Sequence, residues 1–151
     1  MSASAQYRRP ESVLVLVATQ DDEVLMLERV RPEGFLQSVT GSLEWGETAA
    51  DAARRELAEE TGIKAQADAL EDLQMGARFR ILPEWGAQFA PDVRENCEHW
   101  FRLRLPARVT VRCNPGEHQR YAWLPADEAA ARAASWSNRA AIERFIVKRE
   151  A

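Results

Sequence analysis

Residues Gly41 to Ile63 read GSLEWGETAADAARRELAEETGI, a glycine-bounded loop that runs into an acidic helix. Ala49, Ala53 and Leu57 recur every four residues, which lays a thin apolar stripe along one helix face. That stripe is the packing side. Thr48 with Asp51 has the form of an N-terminal capping box, and Gly62 suits the residue just past a helix C-terminus. The helix is therefore bounded at both ends. Glu56, Glu59 and Glu60 follow at i, i+3 and i+4, so three carboxylates gather in its last two turns, with Glu47 ending the loop that leads in. Like charges at that spacing repel, and acids near a helix C-terminus oppose its dipole, each at a cost of roughly 0.3 to 1 kcal/mol. A divalent cation turns this liability into a site. Oxygen-only ligands suit Mg²⁺, or Mn²⁺ in its place, and Mg²⁺ is commonly held by a few carboxylates together with substrate phosphates.

An arbitrary E-x-x-E-E would ordinarily be a solvated helix face. The wider pattern decides otherwise. Gly41, Glu47, Arg55, Glu56, Leu57, Glu59, Glu60, Gly62 and Ile63 fill every fixed position of G-x5-E-x7-R-E-U-x-E-E-x-G-U, where U is bulky and aliphatic. From average residue usage such a match arises by chance with probability on the order of 10⁻⁷ in a chain of this length. The stretch resembles the signature box of the Nudix hydrolases. That resemblance implies an α/β fold, an α/β/α sandwich with a mixed central sheet, and hydrolysis of a diphosphate linked to some other group.

Composition bounds the remaining classes. With 151 residues, 46% of them hydrophobic, the chain suits one domain spanning residues 1–151, with residues 1–6, small and polar, expected to fray. A formal charge of −4 and a pI near 5.3 argue against a nucleic-acid polymer as partner, while a small phosphorylated ligand stays compatible because a metal supplies positive charge locally. Cys97 and Cys113 match no metal-binding spacing and are too few for a disulfide framework, so a reducing cytoplasm is the expected setting. Val13 to Ala18 is too short for an export signal, and no apolar run approaches the roughly 18 residues of a membrane span. No membrane partner is expected.

Along the chain, Val13–Thr19 and Val24–Arg29 predict an antiparallel hairpin, and Phe35–Thr40 a short strand that delivers Thr40 and Gly41 to the loop. After the acidic helix, Leu73 to Leu82 alternates with period two and predicts a half-buried strand. Pro83–Pro91, PEWGAQFAP, reads as a loop able to cover a ligand; Cys97–Leu105, Val109–Cys113 and Arg120–Leu124 read as strands. Pro125 fits position N1 of an alanine-rich helix, Ser137 fits the cap of a last helix, and Ala141, Ile142, Phe145 and Ile146 share one face of it as core.

Outside the box, YRRPESVLVLV, VLMLERV, FLQSVTGSLEWGET, FAPDVRENCEHWFRLRLP, HQRYAWL and SWSNRAAIERF are similar to one branch of the family, the bacterial dihydroneopterin triphosphate pyrophosphatases. The likeness covers nearly the whole chain and is weak between Lys64 and Leu82. It implies Mg²⁺-dependent cleavage between the α and β phosphates, an early step toward folate, with a pterin or nucleoside triphosphate as the small phosphorylated substrate. It also implies Glu56 and Glu60 as metal ligands, Glu117 as a third acid from the Asn114–Gly116 turn, and Glu59 as a further ligand or the water-activating base. Arg8 and Arg29 would contact phosphates, Thr40 and Ser135 would be polar contacts, and Phe79, Arg80, Ile81 and Leu82 would line the pocket. Competing roles stay open at this level: solvation of a strand end for Arg29, a helix cap for Ser135, sheet core for Phe79. Arg55 is expected to tie helix to loop through a carboxylate such as Glu47. Trp45 stands where that branch carries an acid beside Glu44, and Arg8 replaces a lysine; the ring either stacks on a pterin or simply packs. A different small diphosphate substrate, or a catalytically silent binding module, are the alternatives, and the self-repelling acids weigh against the latter.

Overall fold

The computed structural model describes residues 7–147, so the expectation for residues 1–6 lies outside the described residues. Strand β1 (Glu11–Thr19) is buried on both faces, which is why its sequence is an unbroken apolar run rather than an alternation. Val13, Val15 and Val17 project to one side, Leu14, Leu16 and Ala18 to the other. Strand β2 (Glu23–Arg29) follows a turn, but the two strands pair only at Ala18 with Val24 before they diverge. Into the opened gap comes β4 (Val39–Ser42), antiparallel to β1 with Ser12 opposite Ser42 and Leu14 opposite Thr40. Strand β3 (Leu36–Gln37) meanwhile pairs with the far end of β2. The predicted Phe35–Thr40 strand is thus two strands. The break falls at Ser38, whose buried backbone N–H donates to Asn138 Oδ1 at 2.8 Å instead of to a strand.

Strand β6 (Glu95–Leu105) runs parallel to β1 along its whole length, and β5 (Leu70–Arg80) is antiparallel to β6 at the edge. β5 starts earlier than its alternation predicts and carries a bulge between Asp72 and Gly76, with Gln74 at a φ of 53°, so the period-two phase slips and Met75 is exposed. Strand β7 (His118–Pro125) pairs with β2 and completes a mixed seven-stranded sheet. Val109–Cys113, expected as a strand, is extended but unpaired: Val111 plugs the core and Arg112 N–H donates to Thr61 O at the end of the acidic helix. Pro83–Gln88, expected as loop, is a short 3-10 turn opened by its proline.

Helix α1 (Ala49–Thr61) covers one face, packing Ala52, Ala53 and Leu57 on Val15, Leu27 and Phe101. Thr48 Oγ1 accepts from Asp51 N–H at 3.1 Å and Gly62 adopts φ 79°, as the capping pattern predicts. Helices α2 (Ala126–Arg132) and α3 (Trp136–Ile142), the latter continued by a π-helical turn to Val147, cover the opposite face with Ala129, Ala130, Ala141, Ile142 and Ile146. The three-layer arrangement is the one that the family resemblance implies. Pro125 precedes α2 as its N-cap rather than entering at N1, and the cap of α3 is Ser135, not Ser137. Ser137 is buried within the first turn. Among the described residues no helix is long and apolar enough to cross a membrane.

Candidate active site

Arg55 is the hub of the loop that enters α1. Its Nε and Nη2 donate to the two oxygens of Glu47, both at 2.8 Å, while Nη2 also reaches Ser42 O at 3.0 Å. Nη1 donates to Glu56 Oε1 at 2.8 Å and to Glu59 Oε1 at 3.2 Å. One guanidinium thus orders three acids by its planar fork. Glu47 Oε1 also accepts from Glu44 N–H, and Arg9 donates to the carbonyls of Glu44 and Glu47, so the loop is held from both sides. The Arg55 hydrogen bonds hold the Glu47 carboxyl below the usual carboxylate range. A Cβ at Gly41 would meet the Glu56 carboxylate, so any larger residue there would displace that side chain.

The carboxylates do not share one solvated surface, as simple helix spacing implies. Glu60 lies three residues beyond Leu57, on the packing face, and is 1% exposed; Glu56 is half-buried and Glu59 exposed. Glu60 Oε1 is buried without a hydrogen-bond partner. Burial first, then the neighbouring Glu56 and Glu117 carboxylates, push the Glu60 carboxyl far above its ordinary range, against a backbone hydrogen bond from Thr40. Glu117 is raised as well, by burial and then by Glu56 and Glu59, with Arg29 opposing. Ligand atoms of Glu60, Glu117 and His118 lie within 4.8 Å of one another.

His118 is the residue that sequence reasoning missed. It is buried at the start of β7, its Nε2 lies 3.1 Å from Gln37 Nε2, and its Nδ1 has no partner. Burial and the Arg29 charge lower its pKa to about 4, so the imidazole is neutral near pH 7. The only signal in the chain is its place next to Glu117; pairing with β2 is what carries both to α1.

The structure distributes the other expected residues over four places. Arg29, its guanidinium 5.5 Å from the Phe35 ring, stands near Glu117 and His118. Both Arg8 and Thr40 bear on β4 at different residues: Arg8 donates to Ser42 Oγ and to Gln88 Oε1, while Thr40 Oγ1 donates to Val13 O at 2.9 Å and the Thr40 backbone hydrogen-bonds Glu60. Phe79 and Arg80 end the edge strand β5, two strands beyond β1, and Ile81 and Leu82 follow it into the 3-10 turn, with Phe79 half-buried and Leu82 exposed. Ser135 Oγ accepts from Asn138 N–H at 3.1 Å, the cap geometry. Trp45 Nε1 donates to Tyr7 O at 2.7 Å, which ties the ring to the N-terminal segment. A surface depression of about 570 Å³ lies beside Asp21–Glu23 and shares no residue with the acidic group.

A model of the NUDIX domain matches residues 8–145. The chain belongs to the Nudix family. The Nudix chain is 46% identical to dihydroneopterin triphosphate diphosphatase of Escherichia coli (strain K12), covering 93% of this chain and 95% of that protein. It is 35% identical to the protein of the same name from Haemophilus influenzae, covering 93% and 90%. The solved structure of the E. coli dihydroneopterin triphosphate pyrophosphohydrolase superposes with a TM-score of 0.84, over 93% of this Nudix chain and 97% of the other.

Proposed function

We propose that this chain is a divalent-cation-dependent pyrophosphohydrolase that converts dihydroneopterin triphosphate to the monophosphate and pyrophosphate. The observation that carries the chemistry is the orphaned Glu60 oxygen, buried within 4.8 Å of Glu117 and His118 atoms at the end of an intact box. A buried carboxylate with an unmet lone pair is costly unless a cation or proton meets it. The similarity to the two diphosphatases supports the substrate.

The residues present fit an oxygen-ligated cation: Glu60 offers a free oxygen, Glu117 a second carboxylate, and the Gly41 backbone leaves room for the Glu56 carboxylate beside them. Mg²⁺ is the ion that this donor set suits, and Glu56, Glu60 and Glu117 would hold it. When bound, it supplies charge neutralisation on the phosphate oxygens and acidity to water. Arg29 and Arg8 bind the phosphate chain as fixed cations, and Arg55 keeps Glu47, Glu56 and Glu59 in one arrangement through turnover. Glu59, exposed and oriented by Arg55, accepts the proton of the attacking water. His118, neutral and buried, adds a polar wall without adding charge.

Turnover of dihydroneopterin triphosphate, GTP, dATP and a nucleotide sugar with Mg²⁺, with products identified, tests this reading. Preference for the pterin substrate and release of pyrophosphate are expected. Orthophosphate as main product, or preference for the nucleotide sugar, would overturn it.

A further inference from the structure

The sheet face beneath α3 changes character part-way along β1 and β6. Leu14, Leu16 and Trp100 are ordinary core, but the next row toward the strand starts holds Ser12 beside Glu98, and beyond them Asn96. All three are buried, Asn96 and Glu98 at 6% exposure each. Register extends this row on both sides: Ser42 of β4 is opposite Ser12, Ala77 of β5 is opposite Glu98, and Phe79 is opposite Asn96. Paired residues share a face, so these side chains line one surface.

Packing alone does not account for Glu98. Its carboxylate accepts from Trp100 Nε1 at 3.0 Å and interacts with the Ser137 hydroxyl, both neutral donors, and among the described residues it has no cationic partner. A carboxylate accepts about four hydrogen bonds, so half of its capacity is unused. Burial raises its pKa, against the hydrogen bonds from Trp100 and Ser137. Asn96 donates Nδ2 to Ser12 Oγ at 2.8 Å, which turns Oδ1 away as an acceptor with no partner among the described residues. Every open position here is an acceptor. The half-buried Phe79 ring beside Asn96 adds an apolar surface against which a planar ring can stack.

A ligand that completes this surface is flat and carries adjacent N–H donors on one edge. We infer that Glu98, assisted by Asn96, receives the 2-amino and ring N–H edge of an aminopyrimidinone and so determines specificity for the base-like end of the substrate. The inference rests on the triphosphate-hydrolase reading above. Position supports it, because the row begins at Ser42, the residue after Gly41 in β4 and an acceptor for Arg8, and crosses two strand spacings to Glu98, roughly 10 Å, on the sheet face opposite α1. That span separates a reacting phosphate from the far edge of a pterin or guanine.

The test measures kcat/KM for dihydroneopterin triphosphate, GTP and ITP with the full-length chain and Mg²⁺. ITP differs from GTP only in lacking the 2-amino group. Wild-type protein is expected to favour GTP over ITP, and Glu98→Gln to lower kcat/KM for the two 2-amino substrates by roughly 10- to 100-fold, mainly through KM, while bringing the GTP to ITP ratio close to one. An equal loss on all three substrates, with the ratio unchanged, would make Glu98 an anchor for α3 and overturn the inference. If Glu98→Gln does not fold, the wild-type ratio and Asn96→Ala decide: GTP and ITP turned over alike by wild type is equally fatal. A wild-type preference for some other substrate class would instead fell the pterin reading, and the GTP to ITP ratio would still judge the edge contact.

Discussion

Glu60 carries an unusual burden for one side chain: a carboxyl on the core face of α1, with one oxygen unmet and two acids as neighbours. Its proton is held more tightly in the folded chain than in the unfolded one, whose carboxyl titrates near 4.5. Above that value the unfolded state binds fewer protons, so stability falls as pH rises. His118 acts in the opposite sense, but only between about 4 and 6.5, and its contribution is constant above that window. In chelator-treated protein the urea midpoint is therefore expected to drop between about pH 7 and about pH 9, and Glu60→Gln to remove most of that drop. A wild-type midpoint that is flat over this range would contradict the assignment. The same substitution is expected to lower turnover by roughly two orders of magnitude or more and to weaken Mg²⁺ binding, while circular dichroism stays native. Wild-type-like rates would remove Glu60 from the metal site.

At the scale of elements, the unit that matters is the loop from Gly41 to Thr48 together with α1. Arg55 joins them through the half-buried Glu47, so Arg55→Lys, which keeps the charge and loses the fork, is expected to cost about 1 to 3 kcal/mol in urea unfolding and to lower kcat more than its effect on KM. Equal stability of the two proteins would show that the fork is not what orders the loop. Gly62 closes the helix at φ 79°, with Arg112 Cβ 3.4 Å from where a side chain would begin. Gly62→Ala is expected to lose about 1 kcal/mol or slightly more, read as a shift in thermal midpoint, with the kcat of the folded enzyme preserved. The Arg55 tie to Glu47 and the Gly62 cap were both legible in the chain because a contact eight residues apart and a helix cap are local relations. The acids were read less well. Spacing placed them together, but it could not show that Glu60 continues the Leu57 stripe into the core while Glu59 faces water.

For the molecule as a whole, a buried polar contact ties the sheet to α3. Asn138 of α3 accepts from Ser38 N–H at 2.8 Å and donates to Ser38 Oγ at 3.0 Å, across a sequence separation of 100 residues. Both residues are buried, so Asn138→Ala strands the Ser38 N–H where no strand takes it up, and a loss of about 2 to 4 kcal/mol in unfolding free energy is expected. A loss under about 0.5 kcal/mol would mean that the β3–β4 break is held some other way. The contact also explains why Phe35–Thr40 looked like one strand: nothing within it marks Ser38 as the point where the chain changes partners. Val109–Cys113 misled for the complementary reason, since its apolar residue Val111 is buried against the core and Arg112 N–H is taken up by Thr61 O of α1 rather than by a strand. Taken alone, the sequence determined the box, its caps, the two-faced burial of β1 and the apolar face of the last helix, all set by short-range periodicity. The tertiary structure alone decided that Glu117 and His118 reach α1 at the start of β7 beside β2, that Ser135 rather than Ser137 caps α3, and that Glu98 lies buried without a cation among the described residues, because each depends on which distant strand or helix supplies the neighbour.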